Sequence, residues 1–136
     1  MKVVLDTNAL VSGMLNPAGK PGAILALVLE GELSVLHSPG ILSEYHEVLH
    51  RPRFGFQSDM VATILGYIEE AGMPVYPLPA NCSFPDEDDR VFYETALTGK
   101  AVALITGNTT HFPAGDPLIF TPPAFLEYWH RTRNKG

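Results

Sequence analysis

The chain opens Met1-Lys2-Val3-Val4-Leu5-Asp6-Thr7-Asn8-Ala9-Leu10. Three apolar residues, two of them β-branched, lead into Asp6-Thr7-Asn8, the pattern of a short buried parallel strand that ends in a polar loop. Asp6 then sits at a strand's carboxyl end, the edge of an open α/β sheet where the departing loops form a ligand crevice. Aspartate there suits equally well the cap of a helix beginning near Asn8. Position alone supports both roles.

Outward from this start, strand and helix patterns alternate. Ala9 to Leu15 reads as helix, interrupted by the turn-rich Asn16-Pro17-Ala18-Gly19-Lys20-Pro21-Gly22 and resumed from Ala23 to Glu30, with Gly31 as its stop. Leu33 to Leu36 reads as a second strand, and strand, helical crossover and strand make a right-handed parallel unit. Ser38-Pro39 starts a helix, serine capping and proline in the first turn. Its apolar face carries Ile41, Leu42, Tyr45, Val48 and Leu49, and it ends before Pro52. A helix from Ser58-Asp59 to Gly72, a strand from Met73 to Tyr76 and a proline-rich loop follow. The spacing then predicts a helix through Val91 to Leu97, a buried strand from Ala101 to Ile105, a short edge strand from Pro117 to Phe120 and a last helix from Pro122 to Trp129. The basic residues Arg131, Arg133 and Lys135 are expected to fray. The expectation is an α/β chain forming one domain over residues 1–136, with a central, mostly parallel sheet of about five strands.

Composition narrows the function. The 136 residues are 46% hydrophobic and 18% charged, and no apolar run approaches a membrane span. The start reads as a strand with an acid in it rather than a leader, so a soluble, cytoplasmic protein is expected. Cys82 is the single cysteine, which excludes an internal disulfide and a cysteine-rich zinc site. A net charge of −6, with nine Lys and Arg, argues against binding nucleic acid through a broad positive field. Acids gathered in one metal-binding pocket would weaken that objection, because bound divalent cations reverse the local sign.

The most acidic run is Pro85-Asp86-Glu87-Asp88-Asp89-Arg90, ahead of Val91-Phe92-Tyr93-Glu94-Thr95-Ala96. One or two acids at a helix start satisfy free N–H groups. Four in succession repel one another and ask for another reason. Asp86 and Asp89, three apart, would face the same way. Glu44 lies at one edge of its helix's apolar stripe, where a glutamate is ordinarily solvated. His46, His50, Arg51 and Arg53 close the same helix, where cations suit its dipole. Thr106-Gly107-Asn108-Thr109-Thr110-His111-Phe112 leaves a second buried strand and should open on the same sheet edge as Asp6. A doubly wound sheet would bring Asp6, Asp89 and Asn108 to one crevice, with Glu44 reaching in from a neighbouring helix. Converging carboxylates without cysteine are hard oxygen ligands that select Mg²⁺ or Mn²⁺ over zinc.

At these positions the sequence resembles the PIN-domain family, the fold of many small metal-dependent ribonucleases, including the toxin half of VapBC-type toxin–antitoxin pairs. The likeness rests on Val3-Val4-Leu5-Asp6-Thr7-Asn8, Ser43-Glu44, Asp86-Glu87-Asp88-Asp89 running into Phe92-Tyr93-Glu94-Thr95-Ala96, and Leu104-Ile105-Thr106-Gly107-Asn108-Thr109-Thr110-His111-Phe112, in the family's order. It implies a three-layer α/β/α fold and a cytoplasmic endoribonuclease. Asp6, Glu44 and Asp89 would bind metal and act in catalysis, with Asp86 or Asp88 supplying further charge. Asn108 would stand where some members carry a fourth acid and others an asparagine. Asn8 would brace the loop around Asp6, and Thr106 would present its hydroxyl near the acids.

The implied chemistry is hydrolysis of an RNA phosphodiester by metal-activated water, with Mg²⁺ or Mn²⁺ as cofactor. A cognate antitoxin laid over the acidic groove and a homodimer are the expected protein partners, and no membrane is involved. Phe54, Phe56, Phe125, Tyr128 and Trp129 would serve either such surfaces or the core. Two other readings stay open. One is a catalytically weak PIN-like module that acts by binding. The other is a haloacid-dehalogenase-type phosphatase, poorly matched because Asn8 stands where that chemistry wants a second aspartate.

Overall fold

A strand that must be buried on both faces has to be apolar throughout, and Val3, Val4 and Leu5 meet that demand at the centre of the molecule. In the computed structural model, which describes residues 1–134, they lie in β1 (Lys2–Leu5). β2 (Ser34–His37) pairs with it on one side and β4 (Ala103–Ile105) on the other. β3 (Met73–Pro74) and β5 (Ile119–Phe120) complete the edges. The order is β3-β2-β1-β4-β5, and every pairing is parallel. The expected sheet of about five mostly parallel strands is therefore present, and it is parallel throughout the described residues.

Six helices cover it. α1 (Thr7–Leu15), α2 (Lys20–Leu29) and α6 (Pro122–Asn134) pack together, and α3 (Pro39–Leu49), α4 (Ser58–Ala71) and α5 (Arg90–Thr98) form the second layer. From β1 the chain passes to β2 on one side, while β4 joins β1 on the other. The strand order thus reverses between β1 and β4. That reversal leaves a crevice beyond their carboxyl ends, where Asp6 and Thr106 stand. Tyr45, fully buried in α3, donates its hydroxyl to the Leu5 carbonyl and ties the end of β1 to the second layer.

Several boundaries differ from the sequence expectation. α1 begins at Thr7 because Asp6 itself caps it, its side chain accepting from the Thr7 N–H. α2 begins at Lys20 rather than Ala23, since Pro21 fits a first turn where no amide partner is needed. It closes before Gly31, whose φ of +82° reverses the chain toward β2. β3 and β5 are two residues each, shorter than expected; Pro74 within β3 cannot donate to the ladder, and in β5 only Ile119 and Phe120 pair with β4. α6 does not fray after Trp129. It continues to Asn134, with the Arg133 guanidinium 4.7 Å from the Trp129 ring centroid and 3.1 Å from Glu32. Arg131 is likewise helical, and Lys135 lies outside the described residues. Phe125 and Trp129 are buried in the core, while Phe54, Phe56 and Tyr128 pack against it half-exposed.

Candidate metal and catalytic site

The Asp6 carboxylate is buried at 4% exposure and fully engaged. One oxygen accepts from the Thr7 N–H and the other from the Thr106 hydroxyl, each at 2.8 Å. Both roles open to Asp6 in the sequence are thus compatible in one residue: it caps α1 and it faces the crevice. Thr106 Oγ1 in turn accepts from the Asn108 N–H at 3.0 Å, and Asn8 Oδ1 accepts from the Gly107 N–H at 2.9 Å. Asn8 therefore clamps the loop after β1 to the loop after β4, the bracing position expected of it. An Asn8 so committed also leaves no acid where an aspartyl phosphatase needs one.

Glu44 departs from the solvated glutamate its wheel position suggests. It is half-buried, and the Thr7 hydroxyl donates to its carboxylate. Asp86 opens a 3-10 turn over Glu87–Asp89 by accepting from the Asp88 N–H at 3.0 Å. This turn sends Glu87 outward to Arg90, at 2.6 Å, and leaves Asp86, Asp88 and Asp89 along the same cleft as Asp6 and Glu44. The cleft measures about 370 Å³.

Crowding sets the protonation of these groups. Burial pushes the Asp6 carboxyl up to about 6, with the Asp89 charge adding to the effect and the Thr106 hydroxyl opposing it. Burial raises Glu44 as well, against its bond from Thr7. Asp89 is raised by burial, and the neighbouring His111 pulls it back. His111 Nδ1 lies 3.0 Å from Asp89 Oδ2, close enough to pair when the ring is charged but not aligned as a hydrogen bond. Among the described residues that buried oxygen has no hydrogen-bond donor.

Asn108 is displaced from its expected place among the acids. Its side chain bonds His111 Nε2 at 2.9 Å and accepts from Thr110 at 2.8 Å, and His111, not Asn108, lines the cleft. Sequence reasoning missed His111 and Thr7. The signal for Thr7 was its place directly after the strand-end acid; His111 stands three residues after Asn108, in a loop leaving the same sheet edge.

Thr106→Val keeps the shape and removes both the donor to Asp6 and the acceptor for the Asn108 amide. We expect a loss of about 1–3 kcal/mol in stability, read as a fall in denaturant midpoint. Asp6 should titrate above its parent value, which NMR of the carboxyl would report.

Comparison with known proteins gives the family of the chain. A PIN-domain family model matches residues 2–110, which include Asp6, Glu44, Asp86, Asp89 and Thr106 and stop one residue short of His111. The chain belongs to the PIN-domain family. PIN domains are generally nucleases, so the acidic cleft lies in a fold generally used for nuclease chemistry. An uncharacterized protein of Methanocaldococcus jannaschii is 33% identical over 114 residues, 79% of this PIN-domain chain and 71% of that one. No solved structure matches the chain. No helix among the described residues is long and apolar enough to cross a membrane.

Proposed function

We propose that this PIN-domain chain is a Mg²⁺- or Mn²⁺-dependent endoribonuclease. The observation that carries the reading is the convergence of Asp6, Glu44, Asp86, Asp88 and Asp89 on one cleft at the β1/β4 switch point.

The donor set fits a hard divalent cation. It is made of carboxylates, and the buried Asp89 Oδ2 lacks a donor. No three acid or histidine side chains among the described residues already stand close enough to enclose an ion. Mg²⁺ keeps several waters and takes one or two carboxylates directly, so at most two of these acids would touch an ion and the others would reach it through its waters. Asp6, Glu44 and Asp89 would hold it, with Asp86 at the rim. Bound there, the ion would supply Lewis acidity toward a phosphate and lower the pKa of a water.

The chain's own residues do the remaining work. Thr7 and Thr106 fix the two Asp6 oxygens, and the Thr7 hydroxyl orients Glu44. Asn8 prevents the two loops from separating. His111, held by Asn108, keeps a nitrogen beside Asp89.

RNA as substrate, a toxin role with an antitoxin seated over the acidic groove, and a homodimer all follow from the family resemblance. The acidic cleft supports the antitoxin reading, since a basic side chain would complement it. The test is incubation of the purified chain with labelled RNA and matching DNA, with Mn²⁺ and with chelator. Cleavage of RNA that requires the metal is expected. RNA bound but uncut in Mn²⁺ would make the chain a binding module instead.

A further inference from the structure

The cleft that collects the acids is not acidic all round. The segment that follows α3, Arg51-Pro52-Arg53-Phe54, forms a 3-10 turn whose Arg51, Arg53 and Phe54 line the same cleft as Asp6 and Glu44. Nine Lys and Arg serve the whole chain. Arg90, beside the acids, is consumed by Glu87 and by the carbonyls of Ala80 and Cys82. Arg133 is consumed by Glu32. Arg53 forms no ion pair among the described residues; its guanidinium lies 4.8 Å from the Phe54 ring centroid. Arg51 meets only Glu47, in an exposed i,i+4 pair at 3.1 Å that is worth little and exchanges readily.

Phe54 itself stacks on Phe56, with ring centroids 5.8 Å apart and planes 22° apart, and both rings are half-exposed. A guanidinium without a carboxylate partner, resting on two stacked rings, offers what an unpaired nucleotide uses: a fork for the phosphate and, on the outer side of the stack, a flat face for the base. Leu49 ends α3 five residues and about 8 Å of helix axis past Glu44, and the turn begins three residues later at Pro52. It is thus placed for a nucleotide next to the one at the acids.

The geometry points to Arg53 and Phe54, with Arg51 in support, as a clamp for a single-stranded polynucleotide, holding a phosphate and a base adjacent to the bond at the acidic cluster. The inference rests on the nuclease reading and names its substrate form. A strand that must lay a base on this stack has to be single there, because within a duplex the neighbouring pairs cover both faces of each base. The clamp also answers the objection raised by net charge, since affinity is concentrated in two guanidiniums instead of a broad field.

The test uses the full chain carrying Asp6→Asn to prevent cleavage, a fluorescein-labelled single-stranded RNA and its duplex, in Mn²⁺, read by anisotropy across a salt series. The single strand is expected to bind more tightly than the duplex. Arg53→Gln should weaken binding about tenfold and flatten the log–log salt slope by about 0.7, the amount for one phosphate contact on a single strand. Phe54→Leu should weaken binding with no change in slope. In the Asp6 parent, Arg53→Gln should raise KM and leave kcat near its starting value. Parent-like affinity and slope in Arg53→Gln, or equal binding of duplex, overturns the clamp while the nuclease reading stands on cleavage. Competition by polyglutamate as strong as by RNA overturns it in favour of an acidic polypeptide. A chain that neither binds nor cuts any strand overturns both readings.

Discussion

Asp6→Asn is expected to lower RNA cleavage by on the order of a thousandfold and, with no divalent cation present, to make the protein more stable. The first effect follows from removing a buried ligand from the site, where several kcal/mol of charge stabilisation are at stake. The second follows from the cost of the charge itself. Burial moves the Asp6 carboxyl from 3.8 to about 6, which at 1.36 kcal/mol per pH unit corresponds to about 3 kcal/mol. Between about pH 4 and pH 6 the folded protein binds a proton that the unfolded chain does not. Stability therefore falls as pH rises through that window, and the full cost applies above it. Asparagine carries no charge but replaces two acceptor oxygens with one, so part of the gain is given back. A net rise in Tm of roughly 5 °C at neutral pH is expected. A variant that is less stable than the parent at neutral pH, or that cuts as well, would contradict the role assigned to Asp6.

The second large effect runs the other way. Near about pH 7.5, saturating Mn²⁺ or Mg²⁺ should raise the Tm of the parent by roughly 10 °C, since binding at a hundred times Kd adds about 2.7 kcal/mol to the folded state. The gain should shrink as pH falls toward 5, where protonated Asp6 competes with the ion, and should largely vanish in Asp6→Asn. Differential scanning fluorimetry across metal and pH gives all three results in one plate. A melting curve indifferent to both cations would remove the metal site.

The sequence announced the sheet because each inner strand is a short apolar run with a polar stop. It was least informative where tertiary contacts overrule composition. β3 and β5 read longer than they are because apolar residues continue beyond the paired ones: Val75 and Tyr76 follow β3, and Pro117 and Leu118 precede β5. α6 read shorter because its last turns carry polar residues, and their reason to be helical lies in Glu32 and the Trp129 ring. At the site, Asp6 and the acidic run were legible from strand-end position and charge repulsion. Glu44 looked solvated on its helical wheel, because its partner Thr7 is 37 residues away. His111 escaped notice for a similar reason. Only the folded loop after β4 brings it to Asp89, and Asn108, the more conspicuous residue in that loop, turns out to hold the ring and not to face the cleft.

The Asp6–Thr106 and Asn8–Gly107 bonds join residues 100 and 99 positions apart. A ribosome delivers the Asp6 end of the chain first, yet the strand that must lie against β1 to finish the cluster comes only after β4 has emerged. Every nascent fragment shorter than that, even one that carries all the acids, lacks the Thr106 donor to Asp6 and the Gly107 donor to Asn8. Pairing β1 with β4 therefore closes a loop of about a hundred residues, and that long-range closure places completion of the cleft late in folding.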